Sequence, residues 1–85
     1  MTSPPVLLLE AVIMRDVSVV ENDDFFSVPD GTLVQGFFVD ASGDFCVTWM
    51  RNDGGRWHEV PFVAWFVVYA DFYSVLGPAP EGATS

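Results

Sequence analysis

The stretch that decides the fold is residues 29–60, PDGTLVQGFFVDASGDFCVTWMRNDGGRWHEV. Three turn signals divide it, PDG at 29–31, ASGD at 41–44 and NDGG at 52–55, each with glycine beside Asp or Asn. These residue types tolerate the positive φ angles that tight hairpins require. The regular spacing predicts a meander of short antiparallel strands. The strands are expected at 25–28, 32–40, 45–51 and 56–60.

The strand at 45–51 has the clearest alternation. Side chains of a strand point to opposite faces in turn. One face is therefore predicted to carry Phe45, Val47 and Trp49, and the other Cys46, Thr48 and Met50.

Composition supports a mainly β fold for the rest of the chain. Strand-favouring residue types (Val, Ile, Thr, Tyr, Phe, Trp) outnumber helix-favouring ones (Ala, Leu, Glu, Gln, Arg, Met) by 32 to 22. Branched and aromatic side chains lose rotamer freedom in a helix but fit a pleated sheet. Five or six short strands within 85 residues predict one small SH3-like or OB-like barrel. This is a likeness of architecture and implies no function.

Both ends of the predicted domain, residues 6–76, are ambiguous. Residues 6–15, VLLLEAVIMR, follow SPP, which is a helix-start signal, so a helix is left open there. Residues 62–76 place aromatic side chains near helical spacing, but their branched and aromatic content favours a strand. Residues 1–5 and 77–85 lack core-forming side chains and are expected to be flexible.

The charge of the chain limits its partners. Three basic residues stand against twelve acidic ones, a net charge of −9 with no lysine. Direct binding to nucleic acid and to anionic membranes is disfavoured, because both rely on Lys and Arg. A basic protein surface is the partner that this charge attracts. The plainer explanation of the charge is solubility.

The compartment is predicted to be the cytoplasm. Cys46 is the single cysteine, which agrees with a reducing environment. The N-terminal residues lack the basic and small-residue features of a secretory signal. The longest uncharged apolar run, residues 60–70, is too short for a bilayer span of about 20 residues.

Catalytic and metal-binding constellations are not evident in the sequence. Cys46 and His58 form a nucleophile–base pair only if their strands bring them together, and no third group orients the base. A single His and a single Cys cannot supply the four ligands of a structural zinc site. The acidic run ENDDFF lacks the spacing of a calcium loop, and no glycine motif cradles a phosphate. We predict no enzyme activity, no metal and no cofactor.

The candidate binding site is the acidic stretch 16–31, DVSVVENDDFFSVPDG. Uncompensated carboxylates beside aromatic rings are typical of an interaction surface, and the alternative is a solvated connection. Imitation of nucleic acid would require further acids, because five charges over about 50 Å of extended chain are much sparser than phosphates. The predicted partner-binding residues are Asp16, Glu21, Asp23, Asp24, Phe25, Phe26 and Asp30.

Further candidates are the tryptophans and the last predicted strand. Trp49 and Trp57 flank the NDGG turn and are expected to form a cross-strand pair, either in the core or, with Trp65, as aromatic anchors of an interface. Phe66 and Val68 are the expected seam if the chain forms a homo-oligomer.

These observations favour a non-catalytic protein-interaction module, a small acidic inhibitor or adaptor that binds a basic surface. Its size and charge suit a phage-encoded inhibitor of host or defence machinery, or an immunity-type protein. Two alternatives stay open, a self-assembling structural subunit of a virion or complex, and a small-ligand-binding barrel.

Overall fold

The computed structural model describes residues 7–21, 23–39, 43–51, 54–60 and 65–79. These residues form eight strands and one 3₁₀ turn, and none of them lies in an α-helix. The mainly β prediction is therefore confirmed. The strands are β1 (Leu9–Ile13), β2 (Val17–Glu21), β3 (Asp24–Val28), β4 (Leu33–Phe38), β5 (Phe45–Arg51), β6 (Trp57–Glu59), β7 (Phe66–Val68) and β8 (Tyr73–Pro78), with the 3₁₀ turn at Ala70–Phe72.

The strands form two antiparallel sheets. The larger has the order β6-β5-β4-β1-β8, with β7 also paired to β5, and the smaller is the β2–β3 hairpin. Strand β5 is central, because β4 pairs with it on one side while β6 and β7 pair with successive halves of the other side. Its bounds agree with the predicted strand at 45–51.

The predicted turns have the backbone geometry that their glycines imply. Gly31, Gly43 and Gly55 have φ angles of 91°, 94° and 77°. A further residue with positive φ, Asp23 at 68°, lies in the turn of the β2–β3 hairpin. The pairing of these two strands was not predicted.

The larger sheet is strongly curled. Along the paired strands β7-β5-β4-β1-β8, strands β7 and β8 lie at opposite ends. In the chain, only Tyr69 and the 3₁₀ turn separate them. In a flat sheet four gaps of about 4.8 Å would hold them roughly 19 Å apart, more than this short connection spans. Among the described strands no hydrogen-bonded pair joins the two ends, so the sheet is curled but not closed into a barrel.

The core lies inside this curl. Phe45 at its centre has no exposed surface, and the Tyr73 ring of β8 lies 4.9 Å from it. The β2–β3 hairpin contributes Val28 to the core and packs Val17, Val19 and Phe26 against it. The buried cluster consists of Ala11, Ile13, Val28, Val34, Phe45, Val47, Val60, Phe66 and Val68.

A bulge in β5 overturns part of the predicted alternation. Gln35 pairs with Trp49 but the next residue, Gly36, pairs with Val47, which leaves Thr48 as an extra residue. The side-chain phase reverses at that point. Met50 therefore packs against the core, and Trp49 does not share the face of Phe45 and Val47 as predicted.

The possible helix at residues 6–15 or 62–76 is not observed in the described part of either segment, so that prediction is wrong. Residues Leu9–Ile13 form a strand because β4 and β8 pair with both of its edges. The second segment is divided into β7, the 3₁₀ turn and β8. Among the described residues no helix has the length and apolarity needed to cross a membrane.

The domain extends past its predicted end at residue 76. Gly77 and Pro78 belong to β8, where they pair with Glu10 and Leu9 of β1. The predicted flexible N-terminus, residues 1–5, and residues 80–85 of the predicted tail lie outside the described residues.

Candidate functional site

The acidic stretch folds into the β2–β3 hairpin. Val17 pairs with Val28 at its base and Glu21 pairs with Asp24 at its tip. Valine and phenylalanine favour extended backbone here, and the register leaves two residues between the strands, of which Asp23 has positive φ. Asn22 lies outside the described residues.

The hairpin has an inner and an outer face, which separates the two adjacent phenylalanines. On the inner face Phe26 pairs with Val19, and its ring meets Phe66 of β7 edge to face at 5.4 Å. On the outer face Phe25 pairs with Val20, and these residues are 68% and 69% exposed. Of the two phenylalanines predicted to bind a partner, Phe26 holds the hairpin to the core and Phe25 faces solvent.

The carboxylates lie at the two ends of the hairpin. At the base, the backbone N–H of Asp30 donates to Oδ1 of Asp16 at 2.8 Å, so Asp16 fixes the point where the hairpin leaves the sheet. At the tip, Asp23 is exposed in the turn. Glu21 and Asp24 pair beside it through their backbones, and their side chains lie outside what the structure describes.

Two of the three arginines contact residues outside the hairpin. Arg15 lies 3.9 Å from Asp71 and stacks over the Phe72 ring at 5.2 Å. Arg51 lies over the Trp57 ring at 5.2 Å. Among the described side chains no ion pair joins an arginine to the carboxylates of the hairpin.

A groove separates the hairpin from β7. It has a volume of about 430 Å³ and is lined by residues 16–20, residues 66–69 and Phe72. Valine and phenylalanine side chains dominate its walls, with Asp16, Ser18 and Tyr69 as its polar members.

The tryptophans are not core residues. Trp49 pairs with Glu59 and Arg51 with Trp57, so the two tryptophans are diagonal neighbours across the β5–β6 pair. Both are partly exposed. Trp65 is half exposed and meets Phe37 edge to face at 5.7 Å.

The predicted self-association seam does not face solvent. Phe66 and Val68 are 7% and 2% exposed, because both point from β7 into the core. A charged residue at either position would be buried in the core and would disrupt folding, so such a variant does not test self-association. The exposed apolar residues of this segment are Trp65, Val67 and Tyr69.

The only cysteine and the only histidine lie apart. Cys46 is buried between its partners Phe37 and Val67, whereas His58 pairs with Met50, four residues farther along β5. Four residues of strand correspond to about 13 Å, so the two side chains do not form a nucleophile–base pair. Burial also raises the pKa of the Cys46 thiol, which disfavours the reactive thiolate. Within the described part of the chain no group of three His, Cys, Asp or Glu residues is placed to hold a metal ion.

Val20 and Tyr69 border the site but were not among the predicted partner-binding residues. The signal for Val20 was present, since the Asn-Asp turn between VSVV and FFSV places Val20 opposite Phe25. Tyr69 gave no such signal, because its place beside β2 depends on how the hairpin docks on β7.

No protein-family model matches this chain, and no curated protein or solved structure matches it either.

Proposed function

We propose that this protein is a non-catalytic interaction module whose β2–β3 hairpin binds a basic surface of another protein. The observation that carries the proposal is the exposed Val20–Phe25 pair, which lies between carboxylates that no described arginine neutralises.

The two parts of this surface have different physical roles. An exposed aromatic ring beside a branched aliphatic side chain gives a small apolar centre that a partner can cover, and such centres supply most of the affinity of an interface. The carboxylates of Asp23 at the tip and Asp16 and Asp30 at the base surround it. Charges at the rim of an interface mainly speed association and select partners of opposite sign.

The biological setting belongs to the same proposal. Size and charge favour an inhibitor or adaptor in the cytoplasm, of the phage-encoded or immunity type. An SH3-like or OB-like architecture, with the barrel left open between β7 and β8, is likewise proposed. The short β7–β8 connection, which brings the two ends of the sheet toward each other, supports it.

Self-assembly is the second candidate, and exposed apolar side chains of the β7 segment favour it. Val67 and Tyr69 are 46% and 67% exposed, and they replace Phe66 and Val68 as the residues that a second copy would contact. A net charge of −9 on each copy opposes this association, so we place it behind the binding of a basic partner.

The test is quantitative affinity capture with the full chain as bait. The wild type, Phe25→Ser and the double variant Asp23→Asn/Asp30→Asn are immobilised, and captured proteins are quantified at about 50 mM and about 500 mM salt. We expect a basic protein that the wild type retains at low salt and releases at high salt. Each hairpin variant should retain it roughly tenfold less, a loss of about 1.4 kcal/mol.

Two exposed residues away from the hairpin provide matched controls. Leu76→Ser removes an exposed apolar side chain from β8, and Glu59→Gln removes an exposed carboxylate from β6. Neither control should change capture. Equal capture by the hairpin variants and the wild type would overturn the proposed function.

A further inference from the structure

The groove between the hairpin and the sheet lies between two incompletely paired strands. Among the described strands, β2 pairs only with β3 and β7 pairs only with β5. Each therefore has one edge whose backbone N–H and C=O groups lack a partner in any other described strand. Such an edge is a template for another extended chain.

The lining of the groove indicates that the strands border it edge-on. Consecutive residues line it from both sides, 16–20 from the hairpin and 66–69 from β7. A strand that presented a face would contribute only every second residue, because its side chains alternate. Both the inward Val19 and the outward Val20 line the groove, so the backbone of β2 forms that wall.

We propose that this groove takes an extended segment of the partner protein, which adds to the β2 edge, the β7 edge or both as a further strand. The inference rests on the proposed function and specifies how the partner is held. Main-chain hydrogen bonds to a free edge supply affinity in this mode of recognition, and pockets for alternate side chains supply specificity.

The chemistry of the groove defines the segment. One set of alternate side chains meets the apolar wall of Phe66, Val68 and Phe72, so it is aliphatic. The other set faces solvent beside Asp16 and the carboxylate-rich hairpin, so it is basic. Strand β2 has five residues and is about 17 Å long, which matches about five residues of the added strand.

A partner protein fits this groove better than a second copy or a small molecule. A second copy would bring another net charge of −9 to an already acidic site. A small molecule would leave the regularly spaced edge groups unmatched, whereas a peptide backbone repeats with the same spacing.

The experiment uses three synthetic heptapeptides with blocked termini. The probe alternates Lys and Val, a second peptide has the same sequence with alternate backbone amides N-methylated, and a third replaces Lys by Glu. The ¹⁵N-labelled full chain is titrated with each, backbone amide shifts are mapped by NMR, and affinities are measured by calorimetry.

We expect the Lys-Val peptide to shift the amides of residues 17–20 or 66–68. The peptide with N-methylated alternate amides has no N–H donor on one of its two edges and should bind at least tenfold more weakly. The Glu peptide should not bind. Tyr69→Lys should weaken the probe about tenfold, and Leu76→Lys, an equally drastic change at an exposed site on β8, should leave binding unchanged.

Three results would overturn the inference. The first is absence of binding at millimolar probe. The second is equal binding of the N-methylated peptide with shifts confined to residues 23–25, which leaves the proposed hairpin function standing. The third is a dimer, detected by light scattering, in which the backbone amides of β2 and β7 are protected from hydrogen exchange without peptide. That result would assign the groove to a second copy of the chain. Failure of the proposed function is separate, since it appears as unchanged capture by the hairpin variants.

Discussion

At the scale of single residues, the buried amide of Gln35 is the feature that the fold explains least. Gln35 pairs with Glu10 of β1 and Trp49 of β5 and has no exposed surface. Neither its Oε1 nor its Nε2 atom has a hydrogen-bond partner. A buried polar group without a partner lowers stability by about 1–3 kcal/mol.

Replacing Gln35 by an apolar side chain of similar length should therefore stabilise the protein. We expect Gln35→Met to raise the free energy of unfolding by about 1 kcal/mol, measured by urea denaturation. Gln35→Glu is the control and should lower it, because a carboxylate would be buried without a counterion. A destabilised Gln35→Met protein would show that the amide has a partner in solution.

Tyr73 is the second residue whose role depends on its surroundings. Its hydroxyl donates a hydrogen bond to the backbone carbonyl of Gly43, which ties β8 to the loop before β5. Burial raises the pKa of Tyr73 above its ordinary value, and the negative charge of Asp44 raises it further. The neutral hydroxyl is thus the form that the folded state stabilises.

This shift predicts a loss of stability in alkaline solution. The unfolded chain releases the Tyr73 proton near pH 10 and the folded chain at a higher pH, so the folded state holds more protons in between. The contribution is complete below about pH 10 and is lost as the pH rises through the folded pKa. Tyr73→Phe should lower the free energy of unfolding at pH 7 by about 1 kcal/mol. Above pH 10 the free energy of unfolding should fall less steeply in this variant than in the wild type.

Urea denaturation between pH 7 and pH 11 is the measurement. Tyr69→Phe is the matched control, because Tyr69 is exposed, and its pH profile should follow the wild type. Parallel wild-type and Tyr73→Phe profiles would contradict the assigned role of the hydroxyl.

At the scale of elements, the β4–β5 pair depends on one glycine. A Cβ atom on Gly36 would lie 2.0 Å from the carbonyl oxygen of Cys46 and 2.7 Å from the Phe45 ring. Gly36 lies directly beside the register shift at Thr48. Backbone cannot move aside as a flexible side chain can.

Gly36→Ala should therefore destabilise the protein by about 3 kcal/mol or more, because the added methyl group forces the two central strands apart. Thermal unfolding followed by circular dichroism measures the effect. Gly55→Asn is the control, since Gly55 has positive φ, open space around it and a turn position that Asn tolerates. A Gly36→Ala protein as stable as this control would contradict the close approach.

The β2–β3 hairpin shows how an element assigns different roles to identical residues. Phe25 and Phe26 are adjacent, but strand alternation directs one to solvent and the other to Phe66. The same alternation on β7 buries Phe66 and Val68 and exposes Val67. The prediction that Phe66 and Val68 mediate self-association therefore chose the buried side of β7.

At the scale of the whole molecule, curvature and charge act together. The short β7–β8 connection curls the sheet around a small core, and several large apolar side chains remain outside it, among them Val20, Phe25 and Tyr69. A net charge of −9 keeps copies of the chain apart. In the proposed function, the same charge attracts a basic protein toward these exposed side chains.

Much of this arrangement was predictable from local patterns. The strand at Phe45–Arg51 and the three glycine turns were predicted correctly, because φ preference and alternation act within a few residues. The acidic and aromatic content of the candidate site was also evident, since it needs only composition. The bulge at Thr48 was not predicted, because it arises from contact between two strands.

The sequence by itself determined that this protein is a small, acidic, mainly β chain with glycine turns at set intervals. Only the tertiary structure decided that the sheet is curled, that Phe26 of the hairpin meets Phe66 of β7, and that β2 and β7 border a groove. The physical reason is the distance along the chain over which each interaction acts. Turn and strand preferences act between neighbours in the chain, whereas docking of the hairpin and the exposure of Phe25 depend on contacts between residues distant in sequence.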